Sequence, residues 1–258
     1  MTKITHYSPV VIDVVESLSD LDCAVVPQEN TIFGSVVETY NALRILQHGF
    51  IRGEITLEIQ HCLVTRKGVG LSDIDCVMSH EQALGQCRGF LSKHLPNASR
   101  KKMDSTAAAA EALLRSPDGL KSAAICSKVC VTMFEGLQML YEGIQDEKIN
   151  FTRFYVLAKN HCTKLPQLPA PCTHALFRIT RISTDSPKMS IIFEALEIDM
   201  EVTRVDRRPK VSNIPFQDVH FIEVKRSTNE DSHWTQSVDC ATGRIQSMGV
   251  EAQVLGIW

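Results

Sequence analysis

The sequence predicts an α/β protein in which strands alternate with helices. Three observations support this fold class. Short apolar runs of strand length alternate with segments whose apolar residues recur at helical spacing. Polar residues fall where a strand gives way to a helix, the place where open α/β sheets bind ligands. A proline-rich segment then precedes a second series in the order β-α-β-β-α-β, which is typical of a split βαβ sandwich.

The N-terminal series starts with apolar segments of clear character. Residues 22–27 read as a short buried strand, and the apolar positions of residues 36–50 have helical spacing. Residues 54–65 alternate in the manner of an extended segment, and residues 74–78 form another short apolar strand. These elements predict the first half of an open sheet.

Two capped helices and two further strands continue the series. Ser79 and Gln82 fit a capping box at the start of a helix whose apolar stripe runs over residues 83–91. Ser105 and Thr106 precede an alanine-rich helix. Strands are predicted at residues 123–125 and 154–157.

A domain boundary is predicted at residues 164–171, where three prolines disfavour both helix and central strand. We therefore divide the chain into residues 1–160, a linker at 161–172 and a second domain at 173–258. In the second domain we predict strands at residues 175–182, 200–205, 219–224 and 251–257 and helices at residues 187–196 and 232–248.

The composition is that of a globular protein with a small-molecule partner. The 258 residues are 44% hydrophobic and 22% charged, and the formal net charge is -3. The longest basic run is residues 100–102, so we expect neither nucleic-acid nor membrane binding. The first residues show no apolar signal segment, and we expect a cytoplasmic location.

The cysteines indicate neither a disulfide framework nor a metal site. They are nine in number and scattered, and no two form a C-x-x-C pair. Cys126 and Cys130 lie one helical turn apart, but two thiols make a poor metal site. We expect buried reduced thiols, and no metal.

Two polar clusters are the candidate sides of a ligand cleft. Residues 150–154, Asn-Phe-Thr-Arg-Phe, place a hydroxyl beside a guanidinium just before an apolar strand. Residues 27–31, with Gly34 behind them, follow another apolar strand. Arg153 has two equal interpretations, a bidentate carboxylate ligand or a structural salt bridge.

Four motifs give the chain a resemblance to prephenate dehydratase followed by a C-terminal ACT regulatory domain. They are Val25-Val26-Pro27-Gln28-Glu29-Asn30-Thr31-Ile32-Phe33-Gly34-Ser35-Val36, Ser79-His80-Glu81-Gln82-Ala83-Leu84-Gly85-Gln86-Cys87, Ser105-Thr106-Ala107-Ala108-Ala109-Ala110, and Gly143-Ile144-Gln145-Asp146 leading to residues 150–154. The resemblance covers most of residues 8–160. It implies a two-lobed, periplasmic-binding-protein-like catalytic domain and a βαββαβ ACT-like domain.

Two departures from the family pattern carry expectations of their own. The family opens with a strand, a Gly-Pro-x-Gly-Thr loop and a helix, whereas this chain begins near the next helix, so we expect an N-terminally truncated domain lacking one wall of its cleft. The family's Gly-Ala-Leu effector turn falls at residues 186–188, and its Glu-Ser-Arg-Pro turn becomes residues 206–209. Asp206 and Arg208 are then the candidate effector residues, with weak or absent phenylalanine feedback.

The resemblance also implies the chemistry. Loss of carbon dioxide and water from prephenate forms an aromatic ring, which needs no cofactor, only a bound geometry and a proton donor. Thr152 is the expected proton donor, and Arg153 is the second expected catalytic residue. The implied substrate-binding residues are Glu29, Asn30, Thr31, Gly34, Ser79, Gln86, Ser105, Thr106 and Asn150.

Three functions remain open on the sequence. The first is a prephenate dehydratase, which forms phenylpyruvate on the route to L-phenylalanine. The second is a catalytically silent binding or regulatory protein with the same fold, and the third is arogenate dehydratase, whose substrate carries an amino group in place of the keto oxygen. We expect a homodimer or higher homo-oligomer.

Overall fold

A computed structural model of the protein describes residues 10–115, 121–160, 162–165, 172–181, 186–212, 215–227 and 233–258. Most of the predicted linker, Ile182 at the end of one predicted strand and Ser232 at the start of a predicted helix lie outside these residues. The chain divides into two compact units. Unit 1 comprises Met1–Thr56 and Arg153–Trp258, and unit 2 comprises Leu57–Thr152. The division into residues 1–160 and 173–258 stays a prediction.

The elements of the described residues follow one another as an α/β chain. In order they are α1 (Val11–Glu16), β1 (Cys23–Asn30), β2 (Gly34–Ser35), α2 (Val37–Ile45), β3 (Phe50–Glu58), β4 (Cys62–Arg66), β5 (Cys76–Ser79), α3 (Glu81–Gln86), α4 (Arg88–His94), β6 (Ser99–Lys102), α5 (Thr106–Arg115), β7 (Ser122–Cys126), α6 (Val129–Met133), β8 (Leu137–Tyr141), β9 (Phe151–Ala158), β10 (His174–Arg181), α7 (Met189–Glu197), β11 (Met200–Pro209), β12 (Asp218–Arg226), α8 (Trp234–Ser247) and β13 (Val250–Ile257). The α/β class and the β-α-β-β-α-β order of the second series are confirmed.

Unit 1 is organised around a mixed sheet. Its strand order is β11-β12-β10-β13-β3-β9-β1-β2 among the described strands. β10 pairs antiparallel with both β12 and β13, and β13 meets β3 in parallel where Gly256 faces Ile51. A Cβ on Gly256 would lie 2.3 Å from the Cβ of Ile51, so this contact requires glycine. The aromatic residues Tyr40, Tyr155 and Phe221 are buried in the core beside it.

Unit 2 carries a second sheet with the order β6-β5-β7-β4-β8 in its described strands. β5 runs parallel to β6 and β7, whereas β4 is antiparallel to β7 and β8. The alanines of α5 contribute Ala109 and Ala110 to a core that also contains Ala124 of β7. Small side chains on both elements let the helix pack closely on the sheet.

Several predicted elements differ in their bounds. The helix predicted for residues 36–50 ends at Ile45, because Leu46 leaves the helical conformation with a ψ of 120°, and Phe50 already starts β3. The extended segment 54–65 is interrupted between β3 and β4. The helix predicted after Ser79 is divided at Cys87 into α3 and α4. α1, α6, β6 and β8 are elements that the pattern did not predict.

No helix in the described parts of the chain combines the length and apolar character needed to cross a membrane.

Candidate functional site

One edge of the unit 2 sheet collects several of the predicted site residues. Ser79 is the last residue of β5, and Cys126 is the last residue of β7. Because β5, β6 and β7 run parallel, their carboxyl ends meet at one edge, where open α/β sheets bind ligands. Ser105 and Thr106 follow β6 at the start of α5.

Ser79 has a different role from the predicted helix cap. Its side chain is fully buried, and its hydroxyl donates to the carbonyl oxygen of Ile125 at 2.6 Å, which ties β5 to β7. His80 is the cap instead, since its Nδ1 accepts a hydrogen bond from the backbone N–H of Gln82 at 3.3 Å. The capping box was therefore wrong, and Ser79 does not share a helix face with Gln86.

Ser105 caps α5 as predicted. Its Oγ accepts a hydrogen bond from the backbone N–H of Ala108 at 3.0 Å. α5 has ten residues, and Thr106 is the first of them. The first turn of such a helix favours a negatively charged group, because its backbone N–H groups and dipole carry partial positive charge.

A buried network links Gln86 to two further side chains of unit 2. Gln86 Oε1 lies 2.5 Å from His61 Nε2 and accepts from Asn150 Nδ2 at 3.0 Å. Asn150 is fully buried, and His61 is 7% exposed. Burial lowers the pKa of His61 below its ordinary value, so the ring is neutral near pH 7. The predicted residues Gln86 and Asn150 therefore lie together, and His61 was missed.

Thr152 lies two residues beyond Asn150, at the start of β9, and is 9% exposed. The backbone carbonyl of Asn150 accepts from the N–H of Ile59 at 2.7 Å, which holds the approach to this strand. The chain passes from unit 2 to unit 1 between Thr152 and Arg153.

Arg153 lies among three carboxylates of unit 1. Its guanidinium nitrogens are 3.6 Å from Glu29 Oε1, 3.6 Å from Glu223 Oε1 and 4.0 Å from Glu54 Oε2. Its side chain is 34% exposed. Of its two interpretations, the geometry favours the salt bridge, because a substrate carboxylate would have to compete with these partners.

Glu29 also has a second cation as a partner. Arg204 NH1 of β11 lies 2.5 Å from Glu29 Oε2, and Arg204 Nε lies 2.6 Å from Asp206 Oδ2. Asp206 accepts a further hydrogen bond from Ser35 Oγ at 2.5 Å. Two candidate substrate and effector residues, Glu29 and Asp206, are thus joined through one arginine.

Arg208, the other candidate effector residue, donates from Nε to Asn41 Oδ1 at 3.1 Å. The Arg208 side chain therefore contacts helix α2. Residues 206–209, which the resemblance matches to a turn of the family, lie within strand β11.

A buried polar cluster beside Arg153 was not predicted. Gln28 Nε2 donates to Tyr155 OH and to Glu223 Oε2, both at 2.7 Å, and Tyr155 OH donates to Glu223 Oε2 at 3.2 Å. Burial raises the pKa of Tyr155 well above its ordinary value, which keeps the phenol protonated. The only sequence signal was a glutamate inside the apolar run of residues 219–224.

Asn30, Thr31 and Gly34 form the turn between β1 and β2. Asn30 Oδ1 accepts from the backbone N–H groups of Ile32 at 2.9 Å and Phe33 at 3.2 Å. Gly34 pairs with Asn30 and has a φ of 74°, in the left-handed region that favours glycine. No protein atom lies within 4 Å of a Cβ built at Gly34, so the positive φ rather than a crowded neighbour favours glycine at this position.

Three thiols of unit 2, those of Cys62, Cys126 and Cys130, are buried in one core. Cys62 and Cys126 face each other across β4 and β7, and Cys126 is hydrogen-bonded to Cys130. That contact lowers the pKa of the Cys130 thiol below its ordinary value. All nine cysteines are free thiols, and within the described residues no three His, Cys, Asp or Glu side chains cluster in a way that could hold a metal.

A cavity of about 570 Å³ lies in unit 1 between α1 and α2. Its lining includes Val15, Leu18, Ala42 and Leu46, with Lys159 among the polar residues. None of the predicted site residues lines it. It is therefore separate from both polar clusters.

The fold and the polar clusters define the class of this protein: a periplasmic-binding-protein-like α/β protein with polar side chains at the carboxyl ends of parallel strands. A family model described as prephenate dehydratase matches residues 4–162, which is more than half of the chain. The chain belongs to the prephenate dehydratase family.

Curated relatives and a solved structure are similar to the chain. It is 35% identical over 193 residues to "Arogenate dehydratase/prephenate dehydratase 6, chloroplastic" of Arabidopsis thaliana, a match that covers 73% of this chain and 44% of that protein. It is 33% identical over 212 residues to the bifunctional chorismate mutase/prephenate dehydratase of Escherichia coli K12, covering 79% of this chain and 51% of that protein. The chain thus spans about half the length of these relatives.

The structure of prephenate dehydratase from Arthrobacter aurescens in complex with L-Phe is similar to this one with a TM-score of 0.79. The sequences are 27% identical, and the match covers 96% of this chain and 78% of that chain.

Proposed function

We propose that this protein is a prephenate dehydratase, a hydro-lyase that converts prephenate to phenylpyruvate, water and carbon dioxide in L-phenylalanine biosynthesis. The observation that carries the proposal is the family match over residues 4–162, within which the Thr152 motif stands intact. The arrangement of unit 2 supports it, because Gln86, Asn150 and the capped start of α5 lie in the same unit as Thr152.

The buried threonine suits the chemistry that this reaction needs. Thr152 is 9% exposed, so its hydroxyl competes with little water for the departing hydroxyl of the substrate. A neutral hydroxyl can donate a hydrogen bond or a proton to that group as the C–O bond breaks. The start of α5, with Ser105 and Thr106, suits a substrate carboxylate.

We propose that Glu29 and Arg153 act through their charges. Both are partly exposed and share the ion pairs with Arg204, Glu54 and Glu223. Asn30, Thr31 and Gly34 then act by shaping the turn after Glu29, and Ser79 by holding β5 against β7.

The test is formation of phenylpyruvate from prephenate by the purified protein. Thr152→Ala is expected to lower kcat by about 10²–10⁴-fold, the usual contribution of a positioned proton donor. Thr152→Ser retains the hydroxyl and is expected to keep most of the activity. Thr132→Ala, which changes an exposed threonine of α6, is the control.

Wild-type protein that is folded but does not turn over prephenate would refute this proposal. Arogenate is assayed in parallel, because relatives of both names match the chain. Turnover of arogenate alone would assign the third function, and turnover of neither would favour the silent binding protein.

We further propose that L-phenylalanine acts on this chain weakly or not at all. The similar Arthrobacter protein was crystallised with L-Phe, but here Asp206 pairs with Arg204 and Ser35, and Arg208 contacts Asn41. An effector amino group or carboxylate would have to displace these partners. A clear fall in turnover with added L-phenylalanine would contradict the proposal.

The ACT-like role of residues 173–258, the homodimer and the cytoplasmic location are proposals of the same kind. The βαββαβ order supports the first, and free thiols at all nine cysteines suit a reducing compartment. A monomer in analytical ultracentrifugation would refute the dimer. Fractionation against compartment markers tests the location, since plant relatives are named as chloroplastic.

A further inference from the structure

The side-chain amide of Gln86 is held by contacts of its oxygen atom with two neighbouring side chains. Gln86 Oε1 lies 2.5 Å from His61 Nε2 and 3.0 Å from Asn150 Nδ2. Asn150 is fully buried, His61 is nearly so, and Gln86 is half-buried. An amide oxygen has two lone pairs, so Gln86 Oε1 can accept from Asn150 and from one further donor at the position of His61 Nε2.

We propose that His61 is a positioning residue that carries its proton on Nε2 and holds Gln86 Oε1 inward, so that the Gln86 amide nitrogen is presented as a hydrogen-bond donor to the ligand. The ligand class is an oxygen acceptor, a carboxylate or hydroxyl. Naming that ligand prephenate rests on the proposed function.

The surroundings of the Gln86 nitrogen support this assignment. Among the described residues, none accepts a hydrogen bond from Gln86 Nε2, although its Oε1 accepts from Asn150 and lies within hydrogen-bond distance of His61 Nε2. Nε2 is also absent from the buried polar atoms of the described residues that lack a partner, so a ligand or water can reach it. The unused donor therefore points away from the buried side of the network.

Two hydrogen bonds hold the backbone of His61, and the ring itself is buried. The N–H of His61 donates to Gln145 Oε1 at 3.0 Å, and its carbonyl accepts from the N–H of Ile144 at 3.0 Å. Burial keeps the ring neutral, so it carries one N–H only. Placing that proton on Nε2 makes the short contact with Gln86 a hydrogen bond from nitrogen to oxygen.

The tautomer is read without substrate by long-range ¹H–¹⁵N correlation spectra of the labelled protein. We expect His61 to show the Nε2–H pattern and the Gln86 side-chain amide resonances to shift on titration with prephenate. The Nδ1–H pattern, or Gln86 resonances that stay unchanged at saturating prephenate, would overturn the inference.

Two substitutions at His61 separate positioning from packing. His61→Leu removes the donor and is expected to lower kcat/KM up to about tenfold, mainly through KM, since one hydrogen bond is lost. His61→Gln can place an amide N–H near the former Nε2 and is expected to recover most of that loss. Equal losses in both variants, with wild-type circular dichroism, would show that His61 only packs.

A substitution at Gln86 tests the donor itself. Gln86→Glu keeps an acceptor for His61 and Asn150 but removes the N–H donor, and we expect KM to rise at least about tenfold. Gln82→Glu changes an exposed glutamine of the same helix and is the control, with KM unchanged. An unaltered KM in Gln86→Glu would contradict the inference.

The outcomes distinguish this inference from the proposed function. Wild-type protein that fails to turn over prephenate refutes the function, while the tautomer and the titration still decide the role of His61. Wild-type protein that is active, with Nδ1–H at His61, refutes the inference alone.

Discussion

Glu223 of β12 is the residue whose replacement we expect to damage unit 1 most clearly. It is 2% exposed and accepts hydrogen bonds from Gln28 at 2.7 Å and Tyr155 at 3.2 Å. Its other oxygen faces Arg153 at 3.6 Å. Glu223→Gln preserves the volume of the side chain but removes its charge.

The expected loss follows from these contacts. Hydrogen bonds to a charged group contribute about 1.5–3 kcal/mol each and neutral ones about 0.5–1.5 kcal/mol, so two weakened bonds cost roughly 2 kcal/mol. The new amide N–H₂ would also face the Arg153 cation. Arg153 keeps Glu29 and Glu54, which limits the cost below that of an isolated buried charge. We expect a loss of about 2–4 kcal/mol in the free energy of unfolding.

Urea unfolding followed by tryptophan fluorescence measures this loss. Both tryptophans of the chain, Trp234 and Trp258, belong to unit 1 and report on its unfolding. Asp218→Asn is the matched control on β12, because its partner Arg207 is 69% exposed and a surface pair contributes about 0–1 kcal/mol. If both variants lose the same amount, and less than about 1 kcal/mol, the reasoning about the buried cluster is refuted.

Three further predictions concern local features. Burial lowers the pKa of His61 from its ordinary value of 6.5, so the unfolded state binds more protons than the folded state below that pH. The free energy of unfolding should therefore fall as the pH drops through 6.5 toward the pKa of the folded state. A pH profile of stability that is no flatter in His61→Gln would argue against this. Gly34→Ala should lower the free energy of unfolding by about 1–2 kcal/mol because of the positive φ, whereas Gly85→Ala inside α3 should raise it by about 0.5–1 kcal/mol. Urea midpoints of the two variants that move in the same direction would contradict this argument. Ser105→Ala should cost about 0.5–2 kcal/mol of stability by removing the cap of α5, and an unchanged melting temperature would count against it.

The sequence predicted those parts of the fold that depend on local patterns. α5 with its Ser105 cap follows from a serine before an alanine-rich run, and the β-α-β-β-α-β order follows from apolar spacing. Predictions were wrong where a contact between residues distant in the sequence decides the local structure. Ser79 has the residue type and spacing of a cap, yet its hydroxyl serves Ile125, 46 residues away.

The candidate site was predicted only in part, because one of its residues is recognised only by a contact between distant parts of the chain. The motifs placed Gln86 and Asn150 among the substrate residues, and the structure joins their side chains in unit 2. His61, which completes that network, carries no local signal, because a histidine before a strand has many roles. Its contact with Gln86 spans 25 positions of the chain.

By itself the sequence determined the family, the alternation of strands and helices and the residue types available to the proposed reaction. Only the tertiary structure decided which charges meet. Arg153 and Glu29 share their ion pairs with Glu223 and Arg204, and Gln28 reaches Glu223 across 195 positions of the chain. Spacing along the chain encodes which face of an element is apolar, whereas the partner of a buried charge depends on which elements pack together, and that is a property of the whole fold.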